Sequence, residues 1–386
     1  MTSAGKIKLY LYWFLVLQVC LISISVAASS ILLSLIILSI VLLFLVEKKW
    51  ILPRTAIDIA FFAYCAIEFI TALNSSEQFD AFKNSKRLLL VLIVYGVIIS
   101  FDTREKIMRA LQYLSGTVAF LSIVEIVFYI TNGSDRLFIF QHYMTTGGLK
   151  MIVTLLVLPF ILSNDNKKRE RLFFFLMFVP TLTALVLTNT RSAWLGLVFG
   201  VIVMSVLYYR KLFGILITAI IFFFLFAPSH QTDRAKSIVD FSNSTNVGRF
   251  NMWETGIRMW KDKPILGFGD IDLYDAYLTY RIPTGDEPAG HLHNNYVHLL
   301  VTLGGAGLLT VLFLFFIILR TEFRIFSTNK IDPLIRNISL GAISVFSGFM
   351  VNGMFEWNFG DHEIMVFVWF TVGLCLAVEK TAEKKS

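Results

Sequence analysis

Apolar runs, most of them about 16 to 25 residues long, recur along the chain between short polar connections. They fall at roughly 9–27, 30–46, 56–73, 88–101, 107–131, 147–163, 172–188, 193–209, 212–227, 295–319, 336–352 and 362–379. That length lets a helix cross ~30 Å of hydrocarbon, where backbone must satisfy its own hydrogen bonds. About twelve transmembrane helices are therefore predicted. The run at 88–101 is short and should begin earlier, near Lys86 and Arg87. Lys6 and Lys8 precede the first run and no small-residue cleavage site follows it, so it reads as a retained helix.

Composition agrees: 56% of the 386 residues are apolar and 16% charged, more apolar surface than a water-soluble chain can hide. Nuclear, cytosolic and secreted classes are excluded. The net charge of +7 then reports orientation rather than nucleic acid. With an even number of spans both termini share a face, and that face carries 21 of the 34 Lys and Arg. The other face has 13, of which seven lie in one long connection too long to be informative, so the comparison is 21 against 6. Both termini are thus expected in the cytoplasm. Cys20, Cys65 and Cys375 lie inside apolar runs without metal-ligand spacing.

The long connection divides the chain into nine N-terminal helices over 1–227, a large outward loop over 228–294 and three C-terminal helices over 295–386. A loop of that length among short linkers is where function tends to reside. Inside it, Gly248 to Lys263 spaces Phe250, Trp253, Ile257 and Trp260 as one face of a helix that Pro264 ends. An amphipathic helix with such a face suits the outer headgroup layer, although a helix that merely covers the bundle has the same pattern. Its cations suggest a phosphate-bearing lipid.

Three further segments carry candidate chemistry. His291, His293 and Asn294 sit just before the tenth run, with Gly304, Gly305 and Gly307 inside it. Small residues there would allow close helix approach. A histidine at a membrane boundary can act as a general base or simply cap the helix. Zinc at His291, His293 and His298 lacks an obvious fourth ligand. Arg191 stands between two apolar runs, in a tight turn, where an arginine is usually partnered or functional unless it snorkels. Glu68 and Glu125 lie ~8–9 Å inside the outer ends of their helices, at 1.5 Å per residue, and Lys150 enters the sixth. The last outward turn adds Glu356, Asp361, His362 and Glu363. Ionisable groups thus gather in the outer half of the membrane and are scarce in the inner half, which favours chemistry at the outer leaflet over passage of ions.

Together these segments resemble the O-antigen ligase and polymerase superfamily. His293-Asn294, nine residues and Gly304-x-x-Gly307 follow its H-[N/S/Q]-x9-G-x-x-G pattern. The stretch Leu187 to Trp194 is similar to its second signature, and Gly248-Arg249 before Trp253 and Gly256 to the start of its periplasmic helix. The similarity covers about 180–310 well, and the N-terminal half by topology.

The resemblance implies an all-α, GT-C-like polytopic enzyme of the bacterial inner membrane with a periplasmic active site. Such enzymes move a glycan from an undecaprenyl-diphosphate donor to a sugar hydroxyl. The ligase uses lipid A–core as acceptor; the alternative is a polymerase of O-antigen, exopolysaccharide or capsule repeats that uses another glycan. Arg191 and Arg249 would hold the diphosphate, and His293 would act as base or orient the acceptor. Asn294 and His291 would support it, with Arg258 a weaker phosphate contact. Lys150, Glu68 and Glu125 would line the cavity without an assigned role, as would Glu356 and Asp361. No metal, nucleotide or other cofactor is expected, and one base without a carboxylate nucleophile implies inversion. A solute transporter or flippase is the rival from another class; the uneven charge placement, the long loop and the lack of a visible repeat count against it.

Overall fold

A computed structural model describes residues 2–281 and 290–383. Residues 282–289 of the long connection and the terminal Lys384 and Lys385 lie outside the described residues. Among the described residues the chain is helical throughout. In order come α1 (Ser3–Leu21), α2 (Val26–Glu47), α3 (Asp58–Asn74), α4 (Gln78–Asn84), a 3-10 segment (Ser85–Val91) and α5 (Leu92–Ser100). Then follow α6 (Arg104–Asn132), α7 (Tyr143–Leu162), α8 (Lys168–Leu187), α9 (Arg191–Leu207) and α10 (Lys211–Phe226). The long connection holds α11 (Ser229–Lys236), α12 (Ser244–Asp262) and α13 (Tyr274–Tyr280), and α14 (Asn295–Thr328), α15 (Pro333–Asn352) and α16 (His362–Glu383) complete the chain.

Among the described residues eight helices are both long and apolar enough to cross a bilayer: α1, α2, α6, α7, α8, α14, α15 and α16. Four of the twelve windows hold shorter helices. The helices α9 and α10 are apolar but only 17 and 16 residues long, and α3 has 17 residues. The window at 88–101 does begin earlier, but as α4, a 3-10 segment and the nine-residue α5. The break turns Arg87 toward Glu68, 3.2 Å away, and Asp270, 3.1 Å away.

The centre of the bundle is α7, α15 and α16, whose residues are mostly buried. The helix α15 packs on both α9 and α7. A Cβ at Gly196 of α9 would come within 2.7 Å of the Gly348 carbonyl of α15, so glycine sets that approach. At the periphery, α10 buries only Leu212.

Ion pairs knit one end of the bundle. Arg104 at the start of α6 meets Asp332 before α15, Arg336 meets Asp165 at 2.6 Å, and Lys8 meets Glu47 at 2.9 Å. Residues that the sequence assigned to one face therefore touch one another. The scarcity of ionisable groups in that half needs correcting, because α14 runs on to Thr328 and carries Glu322, 2% exposed, inside the helix. The apolar run ended at 319, so Glu322 read as a connection residue.

The glycines of α14 perform a task other than helix packing. Gly304 takes φ 67° and interrupts the helix. A Cβ there would lie 2.1 Å from the carbonyl oxygen of Ile265. The segment 264–269 crosses at this break and supplies the missing hydrogen bonds. Gly305 donates to Pro264 O at 2.8 Å, while Phe268 and Gly269 donate to Val301 and Thr302 carbonyls at 3.0 and 2.8 Å. Irregular backbone is tolerated at this depth because protein covers it.

The aromatic helix of the long connection is α12, and it lies on protein rather than offering its whole aromatic face outward. Met259 is buried with Phe268, Ile271, Leu292 and Val301. Gly256 faces Leu292 and Val297, and Trp253 Nε1 donates to Leu292 O at 3.1 Å. Phe250 alone among its named aromatics is near half exposed, at 40%. The covering alternative therefore describes α12 better than the headgroup one: Phe268, Ile271 and Leu292 offer it an apolar surface.

Candidate active site

His293 and Asn294 occupy the last turn before α14, and both conformations are dictated locally. Asn294 is the N-cap: its Oδ1 accepts from Tyr296 N at 2.9 Å and Val297 N at 3.1 Å. Its Nδ2 donates to Met354 O at 2.9 Å, and Asn295 N donates to Gly353 O at 2.7 Å. Two consecutive asparagines thus fasten the turn after α15 to the start of α14. His293 just before them has φ 44°, a left-handed backbone that costs a β-carbon residue of order 1–3 kcal/mol and is kept where the surroundings enforce it.

The fastened turn brings Glu356 to His293. Glu356 Oε1 lies 2.9 Å from His293 Nδ1 and also accepts from the Trp357 amide at 3.2 Å. With Nδ1–H donated to the carboxylate, Nε2 is the basic nitrogen of the ring. Arg249 Nη2 approaches Glu356 Oε2 at 3.9 Å, and His291 Nε2 stands 4.0 Å from Oε1. The rings of His291 and His293 are 4.4 Å apart. Burial alone would raise the Glu356 pKa, but the His293 hydrogen bond and the charges of His293, Arg249 and His291 hold it below the usual carboxylate range. His291 is pushed down by burial and then by His293, so it favours the neutral form.

Arg191 begins α9 after the turn Thr188–Thr190, in which Asn189 takes φ 53°. It is 5% exposed. Its Nη1 donates to Ser237 O and Oγ at 2.8 and 3.0 Å, while the buried Nη2 has no partner. Arg191 stands within electrostatic reach of Arg234, Arg249 and Arg136. Arg234, on α11, donates from Nε to Asn189 O at 3.2 Å. Its pKa is lowered first by burial and then by Arg136 and Arg249. Arg136 lies over the Tyr143 ring at 4.2 Å. Arg191 and Arg234 thus lie within electrostatic reach of each other and of Arg136 and Arg249, four guanidiniums from four separate stretches, and among the described residues Arg249 alone has a carboxylate neighbour, Glu356. Forcing these charges together, with burial also lowering Arg249, is unfavourable without an anion to offset it.

Arg136 and Arg234 are the residues that sequence reasoning missed. Arg136 lies between α6 and α7 and Arg234 in α11, and neither belongs to a motif that the sequence singles out. Glu356, given no role from sequence, is the hub of the histidine pair. Arg258 is not drawn in: it is half exposed and pairs with Glu254 one turn away at 2.8 Å. Glu68, Glu125 and Lys150 form two buried ion-pair sites apart from the histidines. Lys150 Nζ meets Glu125 Oε2 at 2.6 Å between α7 and α6, and Glu68 is bound to Arg87. The pairing explains their depth without a substrate, so they hold helices together rather than line the cavity beside His293.

That cavity has a volume of about 550 Å³ and is lined by the start of α7, by His291 and His293, and by 352–364. Only His291, His293 and Glu356 form a group that could ligate a cation among the described residues, with ligand atoms within 4.8 Å of one another. The set differs from the histidine trio that sequence suggested, because His298 is buried against Trp357 with ring centroids 3.9 Å apart. The Arg249 guanidinium beside the same carboxylate opposes a cation there.

Residues 172–312 match the family model described as O-antigen ligase, a segment that contains Arg191, Arg234, Arg249 and His293. Through this segment the chain is similar to the O-antigen ligase superfamily. A Rickettsia conorii protein named "Putative polysaccharide ligase" is 23% identical to it, over 86% of this chain and 80% of that protein. The superfamily makes a ligase- or polymerase-type membrane enzyme the coarse function.

Proposed function

We propose that the chain is a ligase-type glycosyltransferase that moves a glycan from undecaprenyl diphosphate to a sugar hydroxyl of lipid A–core. The reading places it in a bacterial inner membrane, with both termini cytoplasmic and the histidine end periplasmic. The observation that carries it is Arg249 beside the His293–Glu356 pair, with Arg191, Arg234 and Arg136 within electrostatic reach behind it. Guanidiniums match a diphosphate bidentately and stabilise the charge that grows on it as the glycosidic bond breaks.

The reaction is then one displacement. The acceptor oxygen forms its bond to the anomeric carbon as the carbon–oxygen bond to the diphosphate breaks, and the configuration inverts. The acceptor proton passes to His293 Nε2, and Glu356 stabilises the imidazolium as it forms. The lipid diphosphate leaves as an anion held by the arginines. No metal is required in this scheme. The relative's name favours a ligase over a repeat polymerase. The test is to incubate purified protein with an undecaprenyl-diphosphate glycan and either lipid A–core or a second lipid-linked repeat. Glycan on the core supports the ligase, extension of the lipid-linked chain supports the polymerase, and vesicle transport without transfer would replace both.

A further inference from the structure

We propose that the 550 Å³ cavity beside His293 is an acceptor subsite for an uncharged sugar, with Thr145, Asn352 and Asp361 receiving its hydroxyls; this rests on the transfer reading above. Its volume is that of a small-molecule site. Its wall contains two carboxylates, Glu356 and Asp361, and no Lys or Arg. The arginines reach only its edge, Arg136 through Tyr143 and Arg249 through Glu356. A diphosphate would meet repulsion inside this wall, whereas hydroxyl donors would find acceptors.

Three acceptors are available. Asn352 is 3% exposed, and among the described residues its Oδ1 has no hydrogen-bond partner, a cost unless something donates to it. Asp361 is held rigidly: Oδ1 accepts from Glu363 N at 3.0 Å and Ile364 N at 3.2 Å, and Oδ2 from Thr145 Oγ1 at 2.8 Å. Asp361 Oδ2 and Thr145 Oγ1 can each accept once more. None of the three brings a cation to balance an acidic ligand. Donor and acceptor are therefore sorted by charge, the anion to the arginines and the neutral ring to the cavity, with His293 at their junction. The same sorting discriminates against an acceptor that carries a carboxylate or phosphate.

The variant of choice is Asp361→Asn, because asparagine keeps the helix cap and removes the charge. Wild-type protein should transfer to a neutral hexose-terminated acceptor with kcat/KM well above that for a uronic-acid-terminated one. Asp361→Asn should shrink that preference by about tenfold, with the donor KM unchanged. Asn352→Ala should raise the neutral acceptor's KM with the donor KM unchanged. Equal use of both acceptors by the wild type, or a change in donor KM in either variant, would overturn the subsite. Saturation-transfer NMR with a neutral oligosaccharide gives a readout independent of turnover. Signal in the wild type that is lost in Asn352→Ala supports the subsite; signal retained in that variant overturns it. Binding of that pattern without transfer from any lipid diphosphate would leave the subsite standing and remove the transferase reading instead.

Discussion

Replacing Glu356 with Gln isolates what the carboxylate does for His293. The amide keeps the shape of the turn and can still accept from Trp357 N, but it removes the negative charge 2.9 Å from Nδ1. The hydrogen bond of an ionised partner contributes about 1.5–3 kcal/mol. If that term is felt mainly when the imidazole takes up its proton, kcat should fall about 10- to 150-fold. Donor KM should change little, because the donor is held by the arginines. The pH sign follows from the lowered Glu356 pKa. Its contribution is complete above the ordinary carboxylate value of about 4.3 and is lost only as pH falls through the still lower folded value. Gln at neutral pH thus does what acid could do only in a range where the protein meets many other protonations. The assay is steady-state transfer in detergent micelles with donor and acceptor varied separately. A wild-type kcat would refute the orienting role; a raised donor KM with kcat intact would assign Glu356 to the donor side.

The arginines should behave differently: Arg191→Ala or Arg249→Ala should abolish measurable transfer, and Arg136→Ala or Arg234→Ala should each weaken donor binding about tenfold or more. Binding of the lipid diphosphate by native mass spectrometry checks this, and unchanged binding in the last two would remove them from the site. Gly304→Ala should lower thermal stability by several degrees in detergent, since the new Cβ meets Ile265 O at 2.1 Å, whereas Gly305→Ala, 3.3 Å from Pro264 O, should be far milder. Lys150→Met should destabilise by about 3–5 kcal/mol by stranding buried Glu125, and Glu125→Leu added to it should recover most of that loss; urea unfolding that shows no recovery would mean the two do not act as a pair. Chelators should leave transfer intact, and inhibition reversed by added metal would move His291, His293 and Glu356 into a cation site.

What was legible in the chain was what has a period or a fixed local spacing. Twelve apolar windows each contain a helix or part of one, because burial in lipid needs a continuous run. Where a window was short, at 88–101, the cause lay in a charge: Arg87 breaks the run to reach Glu68 and Asp270, and Asp270 is 183 residues away. The His293-Asn294 turn was visible from its place before an apolar run. Its partner Glu356 was visible only as an acid in the last turn, because Asn294 and Asn295 bring it in through hydrogen bonds to backbone carbonyls, which leave no pattern in sequence. Arg136 and Arg234 were hidden for the same reason. At Gly304 and Gly305 the neighbour is a crossing strap of chain, 264–269 with Pro264 at its head, and not a second helix: small residues admit either equally well.

The central claim is that the arginines hold the donor and the His293–Glu356 pair performs the transfer. It is tested most directly by measuring donor binding and turnover on the same preparations of two variants. His293→Ala should bind the undecaprenyl-diphosphate glycan as tightly as the wild type and transfer nothing, while Arg191→Ala should lose binding itself. If His293→Ala still transfers at the wild-type rate, or if Arg191→Ala binds the donor unimpaired, the division of labour is contradicted.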